Sequence, residues 1–208
     1  MLKATIIITA VVITAAMFSS CTESNNYEDE SNFNVETTGR HTVSIVEYLD
    51  YSEKRFINIP PRIGNSTVTE IGQNAFGQFW LVEVTIPDTV TKIGDWSFSS
   101  NNIRNVRLPQ KLIEIGDGAF MNNRLSGVVI PDSVRSIGYR AFFGNRLNSI
   151  TIGSDVEFGE LSGYNEYEGH WRFTPFEETG FEDFYEANGR SAGTYTHTDE
   201  GWTAMFRQ

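Results

Sequence analysis

Between Thr67 and Ile152, apolar and polar positions recur with a fixed period of 22 residues. The pair Ile-Gly returns at Ile71-Gly72, Ile93-Gly94, Ile115-Gly116 and Ile137-Gly138. The same offset links Val68, Val90, Leu112 and Val134, then Phe76, Phe98, Phe120 and Phe142. It also links Leu81, Ile103, Leu125 and Leu147, then Ile86, Leu108, Ile130 and Ile152. A fixed period of this length predicts stacked supersecondary units that bury their apolar sides against one another, a solenoid.

One unit, "VVIPDSVRSIGYRAFFGNRLNSI", shows the expected coil. A strand ends at Ile130, and Pro131-Asp132-Ser133 turns the chain. Val134 and Ile137 re-enter the core, Gly138 permits a tight bend, and Ala141 and Phe142 sit on a short helical turn. In the strand, Val128 and Ile130 point inward with period two, so the residues between them face solvent. Stacking at about 4.8 Å per coil makes a parallel sheet about 20 Å wide from four or five coils. The phenylalanines form an internal column. Asn101, Asn123 and Asn145 recur in register, where an amide can satisfy backbone groups of the adjacent coil. The first copy has Phe79 and then Trp80 there, so the amide ladder is expected to begin one coil late.

The segments "IPDTVTKIGDWSF", "LPQKLIEIGDGAF" and "IPDSVRSIGYRAF" resemble the BspA-like leucine-rich repeats of bacterial surface proteins, whose pattern is close to LxxVxIPxxVxxIGxxAF. The resemblance covers roughly residues 40 to 155. It implies an α/β repeat solenoid of the leucine-rich-repeat class, mostly β with short helical turns. It also implies adhesion, including binding of host matrix and plasma proteins, although a fold does not itself dictate a function.

The flanks divide the chain further. Residues 1–20 carry one basic residue, Lys3, an apolar run from Ala4 to Phe18, and then Ser19 and Ser20, the pattern of a secretory signal peptide. The apolar run falls short of the roughly 20 residues of a membrane span. "FSSC", Phe18 to Cys21, is similar to a bacterial lipobox and implies lipid attachment at Cys21. Acyl chains on that residue would hold the protein on a bilayer, at the outer membrane or cell surface. Residues 21–34 are polar and aperiodic, the composition of a flexible tether.

Residues 35–66 read as an N-terminal β cap, with Val43 and Ile45 alternating against Thr42 and Ser44 and a second strand from Arg55 to Ile59. Ile59-Pro60 repeats the later Ile-Pro, but 12 positions separate Ile59 from Ile71 where 7 separate Ile86 from Ile93. The solenoid proper spans 67–158. Its pattern is expected to break at Gly159, which stands where isoleucine should fall. Residues 159–208 form an aromatic C-terminal cap with a β-hairpin across Gly193–Thr198 and the chain after Gly201. "NGRSAGTY" and the following Trp202 are similar to the module that closes such repeat proteins.

Charge and composition narrow the chemistry. A formal charge of -11, from 27 acids against 16 bases, argues against a nucleic-acid partner. The single cysteine precludes an internal disulfide and a cysteine metal cage. His41, His170 and His197 have no second ligand at metal spacing. Glu166, Glu168, Glu177, Glu178, Glu182 and Asp183 lack a calcium-loop pattern. No nucleophile elbow, phosphate loop or convincing carboxylate pair is present, so the expectation is no enzyme, no cofactor and no metal.

Binding would then fall to exposed strand positions: Glu83, Thr85, Arg104, Asn105, Arg107, Val129, Ser149 and Thr151. Trp80 and Trp96 are candidate aromatic anchors, tryptophan being enriched at binding hot spots. The expected protein is a monomeric, lipid-anchored surface module that engages a host or envelope protein or a glycan. The alternative is a structural or assembly component of the envelope that binds another envelope protein through the C-terminal cap.

Overall fold

The structure, a computed structural model, describes residues 26–165, 169–176 and 179–207. The expected signal peptide and the lipid-bearing Cys21 lie outside these residues. No helix among the described residues is long and apolar enough to cross a membrane.

The chain opens with a 3-10 turn at Glu30–Asn32 and an antiparallel hairpin, β1 (Phe33–Gly39) and β2 (Thr42–Tyr48). The next elements are β3 (Phe56–Asn58), β4 (Arg62–Ile63) and β5 (Ser66–Ile71). Three coils then contribute two short strands each: β6 (Glu83–Thr85) and β7 (Lys92–Ile93), β8 (Asn105–Arg107) and β9 (Glu114–Ile115), β10 (Gly127–Val129) and β11 (Ser136–Ile137). A last coil holds β12 (Ser149–Ile152) and β13 (Glu157–Phe158). The remaining elements are a hairpin of β14 (Leu161–Asn165) and β15 (Gly169–Phe173), one helix α1 (Phe181–Ala187), and a second hairpin of β16 (Gly193–Thr198) and β17 (Gly201–Phe206).

Two sheets run along the stack. One has the order β1-β2-β5-β7-β9-β11-β13, with β4 folded onto β5. The other, the platform, is built from β3-β6-β8 and β10-β12-β16-β17, and its ladder lapses between β8 and β10. Coil strands pair in parallel, and the two capping hairpins join antiparallel within themselves. The turns holding Ala119 and Phe120 close with bonds from Ala119 N to Gly116 O and Met121 N to Gly118 O, so they are consecutive turns and not helix.

Between the sheets, the apolar columns are fully buried. Val90, Ile93, Phe98 and Ile103 are each 0% exposed, and their equivalents in other coils are similarly enclosed. Phe76, Phe98, Phe120 and Phe142 stack with centroids 5.2, 5.3 and 5.5 Å apart and planes within 9° of parallel. The cap residues extend the column at both ends: Tyr48 lies 5.4 Å from Phe76, and Phe176 lies 5.1 Å from Phe142. Each ring thus has an aromatic neighbour on both faces, and the terminal coils are not left open to water.

The asparagine ladder begins at Asn101, one coil late as expected, because Phe79 instead turns in to pack on Tyr48 and Tyr51. Asn123 shows the bonding. Its Oδ1 accepts from Ile103 N, and its Nδ2 donates to the carbonyls of Phe98 and Phe120. The amide joins two coils and closes the turn of its own.

Three expectations need correction. Gly72, Gly94, Gly116 and Gly138 are not at positive φ, so they are not needed for a tight bend. They are needed for close approach: a Cβ on Gly94 would stand 2.8 Å from Ile71 O, and one on Gly116 2.7 Å from Asp95 N. The left-handed residues lie elsewhere in the turns, in the columns Asn74, Trp96, Gly118, Arg140 and Gln78, Ser100, Asn122, Gly144.

Second, the pattern does not break at Gly159. Ile137 pairs with Phe158, and Gly159 N donates to Ile137 O as Gly138 N does to Ile115 O. One residue is deleted between Val156 and Phe158, so the fifth coil closes on a step of 21 residues from Ile137 to Phe158.

Third, order starts before Val35. Phe33 is buried against Tyr48 and Phe76, and Glu28 N donates to Asn58 O. The polar composition of residues 26–34 conceals one aromatic anchor. The extra residues before Ile71 are an excursion: β4 turns at Gly64-Asn65 and pairs back on β5, while β3 already occupies a platform position.

Candidate binding surface

Period-two alternation sends successive members of each platform strand alternately inward and out. Val84, Val128 and Ile150 face the core, and strand pairing aligns their neighbours into two outward rows. The first row runs Phe56, Glu83, Asn105 and, past the lapse, Gly127, Ser149, Thr196, Thr203. The second runs Asn58, Thr85, Arg107, then Val129, Thr151, Thr194, Met205.

The expected face residues Glu83, Thr85, Asn105, Arg107 and Val129 are exposed in these rows. Ser149 and Thr151 are half-buried, because the cap hairpin lies alongside them and the Thr151 hydroxyl meets that of Thr194 at 2.9 Å. Arg107 pairs with Asp88 at 3.2 Å, an exposed contact of small energetic weight. Arg104 is exposed but stands at the strand entrance, at the platform's edge.

The surface is larger than the repeats alone indicate. Phe56 is 64% exposed at the start of the first row, and in the second row Val129 is 60% exposed in the middle and Met205 78% at the far end. Aligning Ile59-Pro60 with Ile86-Pro87 places Phe56 opposite Glu83, so its position has a signal in the sequence. Thr194, Thr196, Thr203 and Met205 have none, since only tertiary pairing brings β16 to β12.

The two tryptophans separate. Trp80 is 69% exposed, with φ of 60°, a left-handed conformation that costs a non-glycine residue about 1–2 kcal/mol. With Phe79 turned into the N-terminal cap, the next side chain is directed outward. Trp96 is half-buried at another corner of its coil, where its indole covers Gly118 and meets Tyr139 edge-on at 6.4 Å. Its role there is packing.

Shallow grooves follow the platform. One of about 460 Å³ lies over Val82–Ile86 and Arg104–Arg107, and one of about 410 Å³ lies between Tyr27, Lys54, Phe56 and Thr85. A third of about 300 Å³ is lined by Glu53, Arg55, Trp80, Val82, Asn102, Arg104 and Arg124. Among the described residues no group of three or more His, Cys, Asp or Glu side chains could hold a metal. His41 and His197 are both exposed, and the His197 ring rests against Trp202. Glu166, Glu168, Glu177 and Glu178 lie outside the described residues. Glu182 is buried and accepts from Phe176 N at 2.5 Å, holding the cap segment in place.

A second polar ladder has no counterpart among the expected features. Asp95 Oδ1 accepts from Asp117 N, and Asp117 Oδ1 accepts from Tyr139 N, each at 3.0 Å. Burial, followed by the charge of Asp95, raises the Asp117 carboxyl above its ordinary pKa. The Ile-Gly-Asp repeated in two successive copies is its signal in the sequence.

The family model for the BspA type leucine rich repeat region matches residues 50–165 in six copies. The chain belongs to the BspA-type leucine-rich-repeat family. No curated protein matches this BspA-type chain. Among solved structures it is similar to the leucine-rich-repeat protein TpLRR of T. pallidum, at 21% identity and a TM-score of 0.49, over 60% of this chain and 70% of that one. A leucine-rich-repeat protein of Bacteroides capillosus shares 24% identity with a TM-score of 0.48, over 59% of this chain and 95% of that one. The pneumococcal vaccine antigen PcpA shares 22% identity with a TM-score of 0.49, over 64% of this chain and 40% of that one.

Proposed function

We propose that this BspA-type protein is a non-catalytic, adhesin-like binding module held at the cell surface, with the platform as its contact face for a protein or glycan. One observation carries the reading: two outward rows run in register from β3 to β8 and, past the lapse in the ladder, from β10 onto the cap hairpin, and hold Phe56, Val129 and Met205 exposed among small polar residues. Such a mixture of isolated apolar anchors and hydroxyls suits a broad, flat partner. Lipid attachment at Cys21 would then present the platform at the outer membrane or cell surface, as a monomer.

The test is binding of the full chain to immobilised matrix proteins and glycans, with Val129→Arg and Thr85→Arg as variants. Loss of about tenfold or more in affinity supports the platform. Binding indifferent to both substitutions rejects it. Protease treatment of intact cells tests the address, since a domain protected from outside removes the adhesin reading. Unchanged membrane fractionation of Cys21→Ala removes the lipid anchor.

A second reading has its own observation. The outer edge of β17 pairs with no other described strand, and Met205 and Phe206 on it are exposed. An open apolar edge accepts a strand from another chain. This favours an envelope assembly partner docked on the cap, and Phe206→Lys, on the same strand but in neither outward row, would abolish that association while leaving platform binding intact.

A further inference from the structure

We infer that the groove beside Trp80 is a binding site for an acidic glycan, one carrying carboxylate or sulfate groups on its sugar rings. The inference rests on the binding-module reading and names the ligand class for one part of that surface.

Charge is the first observation. The protein carries a formal charge of -11, yet this groove gathers Arg55, Arg104 and Arg124 around one acid, Glu53. Most other basic side chains near the coils are engaged: Lys54 with Glu28 and Asp50, Lys92 with Glu114, Arg107 with Asp88, Arg207 with Asp132. Arg62, Arg135 and Arg190 donate to backbone carbonyls. The three groove arginines have no ion pair or side-chain hydrogen bond within the described structure. Unneutralised guanidinium groups brought together on an acidic molecule repel one another, and an anion between them relieves that repulsion. The planar fork of arginine matches a carboxylate or sulfate with two parallel hydrogen bonds.

The second observation is the tryptophan. Trp80 stands 69% exposed in the same groove, in a left-handed backbone conformation that its counterparts Asn102, Arg124 and Arg146 do not share. A broad indole face beside cations offers a surface on which the C–H face of a sugar ring can lie, attracted to the negative face of the ring system.

A third observation separates a glycan from an acidic peptide. Four of the backbone donors lining the groove, those on its coil side, are already used: Val82 N bonds Arg55 O, Asn102 N bonds Leu81 O, Arg104 N bonds Val82 O, and Arg124 N bonds Ile103 O. Along that side of the groove an extended peptide therefore finds no main-chain ladder to join, and recognition there falls to side chains that suit ring faces and pendant anions.

The test uses the full chain in detergent, titrated calorimetrically with oligosaccharides of dextran sulfate and of polygalacturonate. Neutral dextran and poly-glutamate of matched charge serve as comparisons. At least one anionic oligosaccharide binds, neutral dextran does not, and affinity falls as salt rises. Arg104→Gln with Arg124→Gln weakens binding about a hundredfold. Trp80→Ala weakens it about tenfold. Lys111→Gln, an exposed charge outside the groove, changes it by less than about twofold. Thermal melts confirm that the variants fold, as expected for exposed side chains.

Absence of binding to both anionic glycans overturns the inference. Equal or tighter binding of poly-glutamate through the same arginines reassigns the groove to acidic peptides and overturns it. A loss in Lys111→Gln as large as in the arginine variants reduces the effect to diffuse charge and overturns it as well. A matrix ligand that is lost in Val129→Arg but indifferent to the groove variants leaves the platform reading standing and sinks this one alone.

Discussion

The ring of Phe176 lies 5.1 Å from that of Phe142 and 3° from parallel, so a residue of the C-terminal cap takes the place of the next repeat's phenylalanine. Backbone bonds reproduce the same substitution: Arg140 N donates to Thr174 O and Phe142 N to Pro175 O, as Phe120 N donates to Ala141 O one coil earlier. Phe176 also meets Phe181 of α1 edge-on at 5.0 Å, which ties the helix to the column. Phe176→Ala should therefore cost about 3–5 kcal/mol and release the cap before the coils, an order that hydrogen exchange resolved by segment can read.

Asn123 is 6% exposed, and truncating it to alanine strands the N–H of the fully buried Ile103, while the carbonyls of Phe98 and Phe120 each lose one of two donors and keep the amides of Asn101 and Asn145. A buried N–H left unpaired costs about 1–3 kcal/mol, so Asn123→Ala is expected to lose about 2 kcal/mol in urea unfolding. Asn145 is less buried, and its alanine variant should lose less.

Gly118 has φ of 57°, and a Cβ there would run into the Trp96 ring. Gly118→Ala combines a left-handed penalty with overpacking, about 2 kcal/mol or more. In a Trp96→Ala background only the backbone part remains, about 1 kcal/mol. A double-mutant cycle that returned simple additivity would contradict the contact.

Asp117 has its carboxyl raised by burial and by Asp95, so the folded state holds a proton more tightly than the unfolded chain does. Its contribution is best below the ordinary carboxylate range, and is lost as pH rises through the raised value. Asp117→Asn keeps an acceptor for Tyr139 N and removes the charge. The variant should be more stable than the parent at neutral pH, with the difference closing as pH falls toward the ordinary aspartate pKa of about 3.9.

The period itself exposes most of the fold. Val, Ile, Phe and Asn columns at one spacing place core, strand and turn without further information, and the late start of the amide ladder is readable from Phe79 alone. What escapes are features that depend on two coils at once. The glycine of Ile-Gly looks like a bend in one dimension, but is a clearance between neighbours in three. Gly159 looks like a lost isoleucine because a deletion shifts Phe158 into register, and only its pairing partner reveals this. The platform is half legible: Glu83, Asn105 and Val129 follow from alternation, while Thr194 and Met205 arrive on it by antiparallel pairing that no periodic signal encodes. Trp80 and Trp96 are indistinguishable in sequence, and the neighbour each meets separates them.

The phenylalanine column makes the coils interchangeable parts. From Phe76 to Phe142 each ring meets a near-copy of itself in the adjacent coil, within 9° of parallel and at almost one spacing. An in-frame duplication or loss of one 22-residue unit would then meet the same neighbours it left behind. The gene can lengthen or shorten its product in whole steps, widening or narrowing the contact face while both end pieces stay unaltered.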